Sequence, residues 1–435
     1  MEMDVNFTTV SSIAIFAVVY GLIAVRNIRG IRLPMWSIML AGALAVLVLQ
    51  IIPPDEAYQS INFDVIFFLI GMFILVSGLE ASGLLGYVTI KILERAKTPN
   101  QILWFILLVL GMLSAFLIND TVALVATPIV LGMAKQMKVR SGPLLITLAF
   151  GITIGSVMTP IGNPQNLLIS LGSEMEYPFL TFMLYLTAPT LACIGATYVV
   201  IKRIYKKDLA HAGTSQLVAT RELITNMTLA KTSSVILLIT LSGFFAVGFA
   251  KAFGIHTNLN FSHIALIGGL ALLVIGTKRK EILYGINWRI IVFFVSMFVF
   301  MGGLWHGGAI DIFSSMFPRL DHDDPSSILN IVITSVGLSQ LMSNVPFVSV
   351  YLPILHNVGY SSHDVLAWMA LAGASTLAGN LTILGAASNV IILEAAEKRK
   401  EKAFSFIEFL KAGSIVTAVN VAILYAFLVA YSILV

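Results

Sequence analysis

The chain has 435 residues, of which 58% are hydrophobic and 11% charged, and its formal net charge is +4. Soluble domains carry about 25% charged residues, so this composition excludes an ordinary soluble enzyme, a nucleic-acid binder and a disordered chain. With a mean hydropathy of +0.94, what remains is an all-α polytopic membrane protein that crosses a lipid bilayer many times.

A helix that spans a bilayer needs roughly 20 apolar residues. In chain order such runs fall at 9–26, 35–52, 64–84, 143–170, 179–201, 232–253, 261–277, 290–309, 365–393 and 414–433, which predicts ten transmembrane helices. Two further apolar stretches, 101–134 and 327–357, are interrupted by polar residues near their middles. Leu84–Arg95 and Phe404–Lys411 read as amphipathic helices lying in the cytoplasmic interface. The stretch 202–231, rich in Thr, Ser, Ala and Lys, reads as a mobile linker. The one cysteine, Cys193, lies inside an apolar run. It reads as a small core residue and allows neither an internal disulfide nor a Cys-based metal site. Glu2 and Asp4 stand where a signal peptide would carry basic residues, and neither end carries a lipidation motif.

Basic residues accumulate in cytoplasmic loops. Here they cluster as Arg26, Arg29 and Arg32; Lys91, Arg95 and Lys97; Lys135, Lys138 and Arg140; Lys202, Arg203, Lys206, Lys207, Arg221 and Lys231; Lys278, Arg279, Lys280 and Arg289; and Lys398, Arg399, Lys400, Lys402 and Lys411. One alternating threading puts all of the 26 basic residues except Lys251 and Arg319 on the same side. The opposite loops hold Glu2, Asp4, Asp55, Glu56, Asp64, Glu174, Glu176, Asp311, Asp321, Asp323, Asp324 and Asp364. The predicted location is the cell membrane, with both termini extracytoplasmic. The stretch 101–134 then enters and leaves on the cytoplasmic side, and 327–357 on the outside. Each therefore reads as a re-entrant hairpin. Irregular backbone at membrane depth is tolerated only where protein or a wet cavity surrounds it.

The two halves resemble each other. At a constant offset of 225 residues, Gly83 matches Gly308, Leu113-Ser114 matches Leu338-Ser339, Asn119 matches Asn344 and Pro128 matches Pro353. After a two-residue slip, Gly162 matches Gly385 and Asn166 matches Asn389. The expected organisation is a first repeat over 1–201, the linker 202–231, and a second repeat over 232–435. An odd number of spans per repeat inverts the second copy. Inverted repeats characterise secondary transporters, whose sites lie near the midplane at broken helices.

Four polar breaks carry the chemistry: Asn119-Asp120-Thr121 and Ser343-Asn344 at the hairpin turns, and Thr159 to Asn166 and Asn380 to Asn389 within the fourth and ninth spans. Two prolines bracketing Gly162 should unwind the fourth span. An unwound helix offers free carbonyls to a cation and free N–H groups to an anion. The expected substrate and ion cage comprises Asn119, Asp120, Thr121, Thr159, Gly162, Asn163, Asn166, Ser343, Asn344, Thr382, Gly385, Ser388 and Asn389. A Na⁺ is expected near Asn119, Asp120, Gly162, Ser343, Asn344 and Gly385. Any one break could be a structural kink, but four in two symmetric pairs favour a site. Asp120 is the one acidic residue placed at mid-membrane depth, where function is the default reading. It could bind Na⁺, take up a proton because burial disfavours its charged form, or cap the half-helix that follows. Glu80 is placed near the cytoplasmic boundary as a structural or gating residue. His306 lies near the equivalent position outside and reads as a polar contact.

At these residues the sequence resembles the ion transporter superfamily. That group includes the arsenite permeases, CitM-like permeases, divalent anion:sodium symporters and one class of sodium/proton antiporters. The resemblance covers nearly the whole chain. Ser343-Asn344-Val345 is similar to the second Ser-Asn-Thr tip of those families, with Val345 in place of Thr. Asn119-Asp120 and Glu80-Ala81-Ser82-Gly83 look like segments of the arsenite permeases, and Thr159 to Asn166 like the Gly-Thr-Pro-Pro-Asn break of the broader group. The resemblance implies an elevator-type transporter that works as a homodimer. Its scaffold would hold the first, second, sixth and seventh spans, and its transport domain the hairpins and broken helices. With no Arg or Lys expected at the site, a neutral or weakly charged solute such as arsenous acid, or a cation, is favoured.

The sequence therefore reads as an ion-coupled (H⁺ or Na⁺) secondary active transporter of a small anion or oxyacid, such as arsenite or a carboxylate. The alternative is a sodium/proton antiporter without organic substrate. A passive channel would also fit a polar cage. No paired catalytic group lies at matching depth, so an intramembrane enzyme is not expected. No P-loop is present, which speaks against a primary pump. No cofactor is expected beyond the coupling ion, and no nucleic-acid partner.

Overall fold

The computed structural model describes residues 7–25, 27–28, 31–210, 213, 223–255, 257–309 and 326–434. Of the charged residues used for threading, Glu2, Asp4, Asp311, Asp321, Asp323, Asp324, Arg26, Arg29, Arg221 and Arg319 lie outside the described residues. The architecture is helical, apart from a two-residue antiparallel pairing of Asn27–Ile28 with Ile31–Arg32. Apolar sequence dictates this outcome, because backbone N–H and C=O groups in hydrocarbon must find partners within the chain.

The principal helices are α1 (Phe7–Val25), α2 (Met35–Val48), α3 (Phe63–Ala81), α4 (Leu84–Leu93), α5 (Pro99–Leu117), α6 (Asn119–Gln136), α7 (Ser141–Met158), α8 (Pro164–Gly172), α9 (Pro178–Ile204), α10 (Met227–Ala252), α11 (Phe261–Ile275), α12 (Trp288–His306), α13 (Ser327–Met342), α14 (Asn344–Val358), α15 (Val365–Ala378), α16 (Ala387–Glu397) and α17 (Phe406–Leu434). Among the described residues, 7 helices are long and apolar enough to cross a membrane, namely α3, α5, α7, α9, α10, α12 and α17. Shorter apolar helices, among them α1, α2, α11, α13 and α15, accompany them.

Two sequence expectations are corrected. Phe404–Lys411 is no separate interfacial helix, since Phe406–Lys411 forms the first turns of the 29-residue α17. No proline interrupts that run, and Phe409 is buried against Phe150 and Phe404 instead of lying on a lipid surface. The linker is also shorter than 202–231, because α9 runs to Ile204 and α10 starts at Met227, where the Asn226 side chain caps it.

Four interruptions divide the apolar runs. α5 meets α6 at Ile118 and α13 meets α14 at Ser343, and these junction residues have φ of 64° and 67°. α7 gives way to α8 across 159–163, and α15 to α16 across 379–386. Backbone detail recurs between the halves. Thr159 and Thr382 have φ/ψ of −136°/154° and −130°/159°. Asn163 and Ala386 have −155°/159° and −134°/143°. Gly83 and Gly308 have φ of 78° and 71°. Pro128 and Pro353 both lie inside helices, α6 and α14.

Packing recurs as well. α3 packs on α11, and α12 on α2. The first crossing is so close that a Cβ on Gly71 would come within 2.2 Å of the Ala265 carbonyl oxygen. α6 packs on α16 and α8 on α14, so each hairpin arm meets the half-helix of the opposite half. This arrangement brings the starts of α6, α8, α14 and α16 to one place.

Candidate functional site

Those four helix starts line one cavity of about 240 Å³: Asn119 and Asp120 of α6, Pro164 and Gln165 of α8, Asn344 of α14 with Ser343 before it, and Ala387 of α16 with Gly385 before it. Across from them stand Met35 and Trp36 of α2 and Asn287, Arg289 and Phe293 in and beside α12. The first turn of a helix leaves N–H groups without intrahelical partners, and the aligned peptide dipoles place about half a positive charge there. Four such ends around one space make it hospitable to negative charge.

A second cavity, of about 520 Å³, shares Asp120, Asn287, Arg289, Ile290 and Ile391 with the first and adds, among others, Glu80, Thr121, Glu394, Lys398 and Arg399. Arg289 corrects the expectation that no basic side chain reaches the site. It sits in the first turn of α12 and lines both cavities while staying exposed. Sequence reasoning placed it with the loop cations because it falls just before the apolar run. Among the described residues, no ion-pair partner meets Asp120, Glu80 or Arg289. His306, by contrast, has one: its Nδ1 lies 2.8 Å from a Glu56 carboxylate oxygen.

The sequence-predicted residues fall into two groups. Asn119, Asp120, Ser343, Asn344 and Gly385 line the first cavity, and Thr121 the second. Thr159, Gly162, Asn163, Asn166, Thr382, Ser388 and Asn389 do not line either cavity. Most of them hold the breaks open. The Asn166 amide donates to the carbonyls of Ser156 (3.2 Å), Val157 (3.2 Å) and Thr159 (3.1 Å). Asn163 caps α8 by accepting from the Asn166 N–H at 2.8 Å, and its own amide donates to the Ser156 hydroxyl at 3.0 Å. In the second half, the Asn389 amide donates to the carbonyls of Gly379 (2.8 Å) and Thr382 (3.3 Å). The Thr159 hydroxyl donates to the Ala115 carbonyl, and its counterpart Thr382 donates to Gln340 Oε1 at 3.0 Å. The Gly162 carbonyl accepts the Asn119 N–H at 2.9 Å, tying the tip of α6 to the first break.

Thr376 joins the two breaks, a role that no sequence motif signals. Its hydroxyl donates to Asn166 Oδ1 at 3.0 Å and accepts from the amides of Asn163 (3.2 Å) and Gln165 (3.4 Å). Among the described residues, several buried side-chain oxygens have no hydrogen-bond partner: Asn119 Oδ1, Asn344 Oδ1, Ser388 Oγ and Asn389 Oδ1. Buried acceptors are ordinarily satisfied, and neutral oxygens of this kind are what a hard cation takes as ligands. No cluster of three or more His, Cys, Asp or Glu side chains suited to a metal occurs among the described residues.

Interrupted helices that bring Asn119, Asp120, Ser343 and Asn344 to a largely apolar cavity inside an apolar bundle define a polytopic membrane transporter. The chain belongs to the CitMHS family, described as citrate transporter, whose sequence profile matches residues 20–378. It is 29% identical over 438 residues to the uncharacterized transporter Rv2684 of Mycobacterium tuberculosis, covering 95% of this chain and 96% of that one. It is 26% identical over 425 residues to the silicon efflux transporter LSI3 of Oryza sativa subsp. japonica, covering 84% and 86%. Its fold is similar to that of the Alcanivorax borkumensis YdaH transporter, with a TM-score of 0.57 at 15% identity, covering 97% of this chain and 98% of that one.

Proposed function

We propose that the protein is an ion-coupled secondary transporter of a small anion, a carboxylate or an oxyanion, working by an elevator motion. The observation that carries this reading is the meeting of four helix starts and the unpaired Arg289 on one cavity. Arg289 moves the preference away from a neutral solute and towards a charged one. The family's description makes citrate the first substrate to try. Arsenite follows, with silicic acid beside it because a relative is named for silicon.

In this reading 1–201 and 232–435 are inverted repeats, each with five spans and one re-entrant hairpin, α5–α6 inside and α13–α14 outside. The recurring φ values and crossed packing of the halves support it. α1, α2, α10 and α11 belong to the scaffold, which pairs with a second copy. The hairpins and the broken pairs α7–α8 and α15–α16 carry the substrate. The second cavity, with Lys398 and Arg399 at its rim, is the cytoplasmic vestibule, and Glu80 in its wall is the gating residue. Asp120 binds the coupling H⁺ or Na⁺, aided by the unpartnered oxygens of Asn119 and Asn344.

The test is uptake of radiolabelled citrate, and separately of arsenite, into proteoliposomes under an imposed Na⁺ or H⁺ gradient. Gradient-dependent accumulation is expected. Equal flux with the gradient collapsed would show a passive channel and refute the proposal. The unpaired Asp120 also suits a sodium/proton antiporter, and acid-driven Na⁺ flux in vesicles without added solute would favour that second reading.

A further inference from the structure

α9 ends in Lys202 and Arg203, and the short helix Lys206–Leu209 follows it. Lys202, Arg203 and Lys206 line a groove of about 720 Å³ whose other wall is Pro99 and Asn100 at the start of α5. No carboxylate lines it. Among the described residues none of the three cations has an ion-pair partner. Neighbouring cations on the same side do: Lys135 meets Glu401 at 2.7 Å, and Arg140 meets Asp208 at 2.8 Å and Glu408 at 3.3 Å. Topology alone puts positive charge on this side. It does not require three cations to converge on one groove without an acid. Like charges so gathered repel, and an incoming anion relieves the repulsion.

Two further observations place the groove at the bilayer surface. Lys202 Nζ stands 5.7 Å from the centroid of the Tyr198 ring, and that ring packs edge-on against Trp104 at 5.3 Å. Trp and Tyr concentrate where headgroups meet hydrocarbon. From the groove along α9 the outward face is apolar: Val199, which lines the groove, and Leu191 and Leu184 beyond it are 41%, 43% and 73% exposed. Along α9, Lys202 is followed by Tyr198 and then by the apolar strip, with Trp104 of α5 beside Tyr198 and Lys206 in the short helix that follows.

We propose that this groove binds the phosphate headgroup of an anionic phospholipid, with its acyl chains along Val199, Leu191 and Leu184. The site is separate from the transport cavity and does not depend on the substrate reading. Lys202, Arg203 and Lys206 supply the charge, and the Tyr198–Trp104 pair sets the depth.

The experiment follows the melting temperature of the purified full-length protein in detergent, titrated with phosphatidylglycerol or with phosphatidylcholine, because a ligand of the folded state raises it. Native mass spectrometry counts the lipids retained. Phosphatidylglycerol should stabilise the protein at far lower concentration than phosphatidylcholine. The triple variant Lys202→Gln, Arg203→Gln, Lys206→Gln should weaken that preference by roughly a hundredfold. Its melting temperature in phosphatidylcholine should match the parent's, since all three side chains are exposed. Should the triple variant fail to fold, Lys206→Gln alone, which leaves the Lys202–Tyr198 contact in place, should still lower the number of phosphatidylglycerol molecules retained. Equal effects of the two lipids, or an undiminished preference in the variants, would overturn the proposal. So would an equal shift with glycerol 3-phosphate, which would assign the groove to a soluble phosphate ligand.

Discussion

Asn166 separates the breaks as structure from the breaks as binding site. It is fully buried, and its amide donates to three carbonyls while its oxygen accepts from Thr376. In Asn166→Ala the Val157 carbonyl loses its only donor among the described residues. The Ser156 carbonyl keeps the weaker Asn163 amide at 3.3 Å, and the Thr159 carbonyl keeps the Gly162 N–H at 3.4 Å. A stranded buried acceptor costs about 1–3 kcal/mol and each further lost hydrogen bond about 0.5–1.5 kcal/mol. With one stranded acceptor and three further lost bonds, the expected destabilisation is about 2.5–7.5 kcal/mol, large against any domain's net stability. Asn119→Ala supplies the contrast, because Asn119 Oδ1 is already without a partner. Removing it should leave the fold intact and impair transport. Both variants would be measured by thermal melting in detergent and by uptake in proteoliposomes. If Asn166→Ala melts with the parent while losing ligand binding, Asn166 belongs to the cage and the latch reasoning fails.

Three other perturbations test the remaining parts. Asp120→Asn should abolish gradient-driven flux while leaving the melting profile unchanged, and full coupled transport by that variant would remove Asp120 from the coupling role. Arg289→Ala should raise the KM for an anionic substrate about 10–100-fold, as expected for a lost charge-assisted hydrogen bond, and should leave flux of a neutral oxyacid nearly unchanged; an equal loss for both would make Arg289 structural. Gly155→Ala puts a Cβ 2.0 Å from the Gly111 carbonyl oxygen, a backbone atom that cannot turn aside, so α7 and α5 must separate. Overpacking costs typically about 1–3 kcal/mol, and size-exclusion chromatography of the solubilised variant should show a smaller folded fraction.

Much of the fold could be read in the sequence, because a bilayer couples apolar length and loop charge directly to helix placement. The helix interruptions at Ile118, Thr159–Asn163, Ser343 and 379–386 fall where Asn, Pro and Gly break the apolar runs. Other features could not be read there. Periodicity does not tell whether Phe406–Lys411 lies on the membrane or continues into α17, since both arrangements present one apolar face, and tertiary contact with Phe150 decides it. Nor does an Asn in a broken span announce which way its amide points. Asn119 and Asn166 carry the same side chain, yet one faces a cavity and the other fills the carbonyls of its own break. Arg289 stands at the edge of an apolar run, and only the three-dimensional placement of α12 shows that it lines the cavity.

The placement of the two unpaired charges bears on how coupling could arise. Asp120 belongs to α6, which packs on α16, whereas Arg289 belongs to α12, which packs on α2. The two line the same cavity from opposing groups of helices and make no ion pair. Had they met, each would neutralise the other, and the cavity would have no charge to offer a ligand. Held apart, Arg289 and the helix starts call for an anion, and Asp120 with its neighbouring oxygens calls for a cation. A lone charge is costly at membrane depth, and an anion accompanied by Na⁺ or H⁺ reduces the net charge that must cross. An anion alone would leave Asp120 uncompensated, and a cation alone would leave Arg289 so. In the proposed reading this arrangement would favour the doubly loaded cavity over either singly loaded one, a coupling free energy between the two ligands.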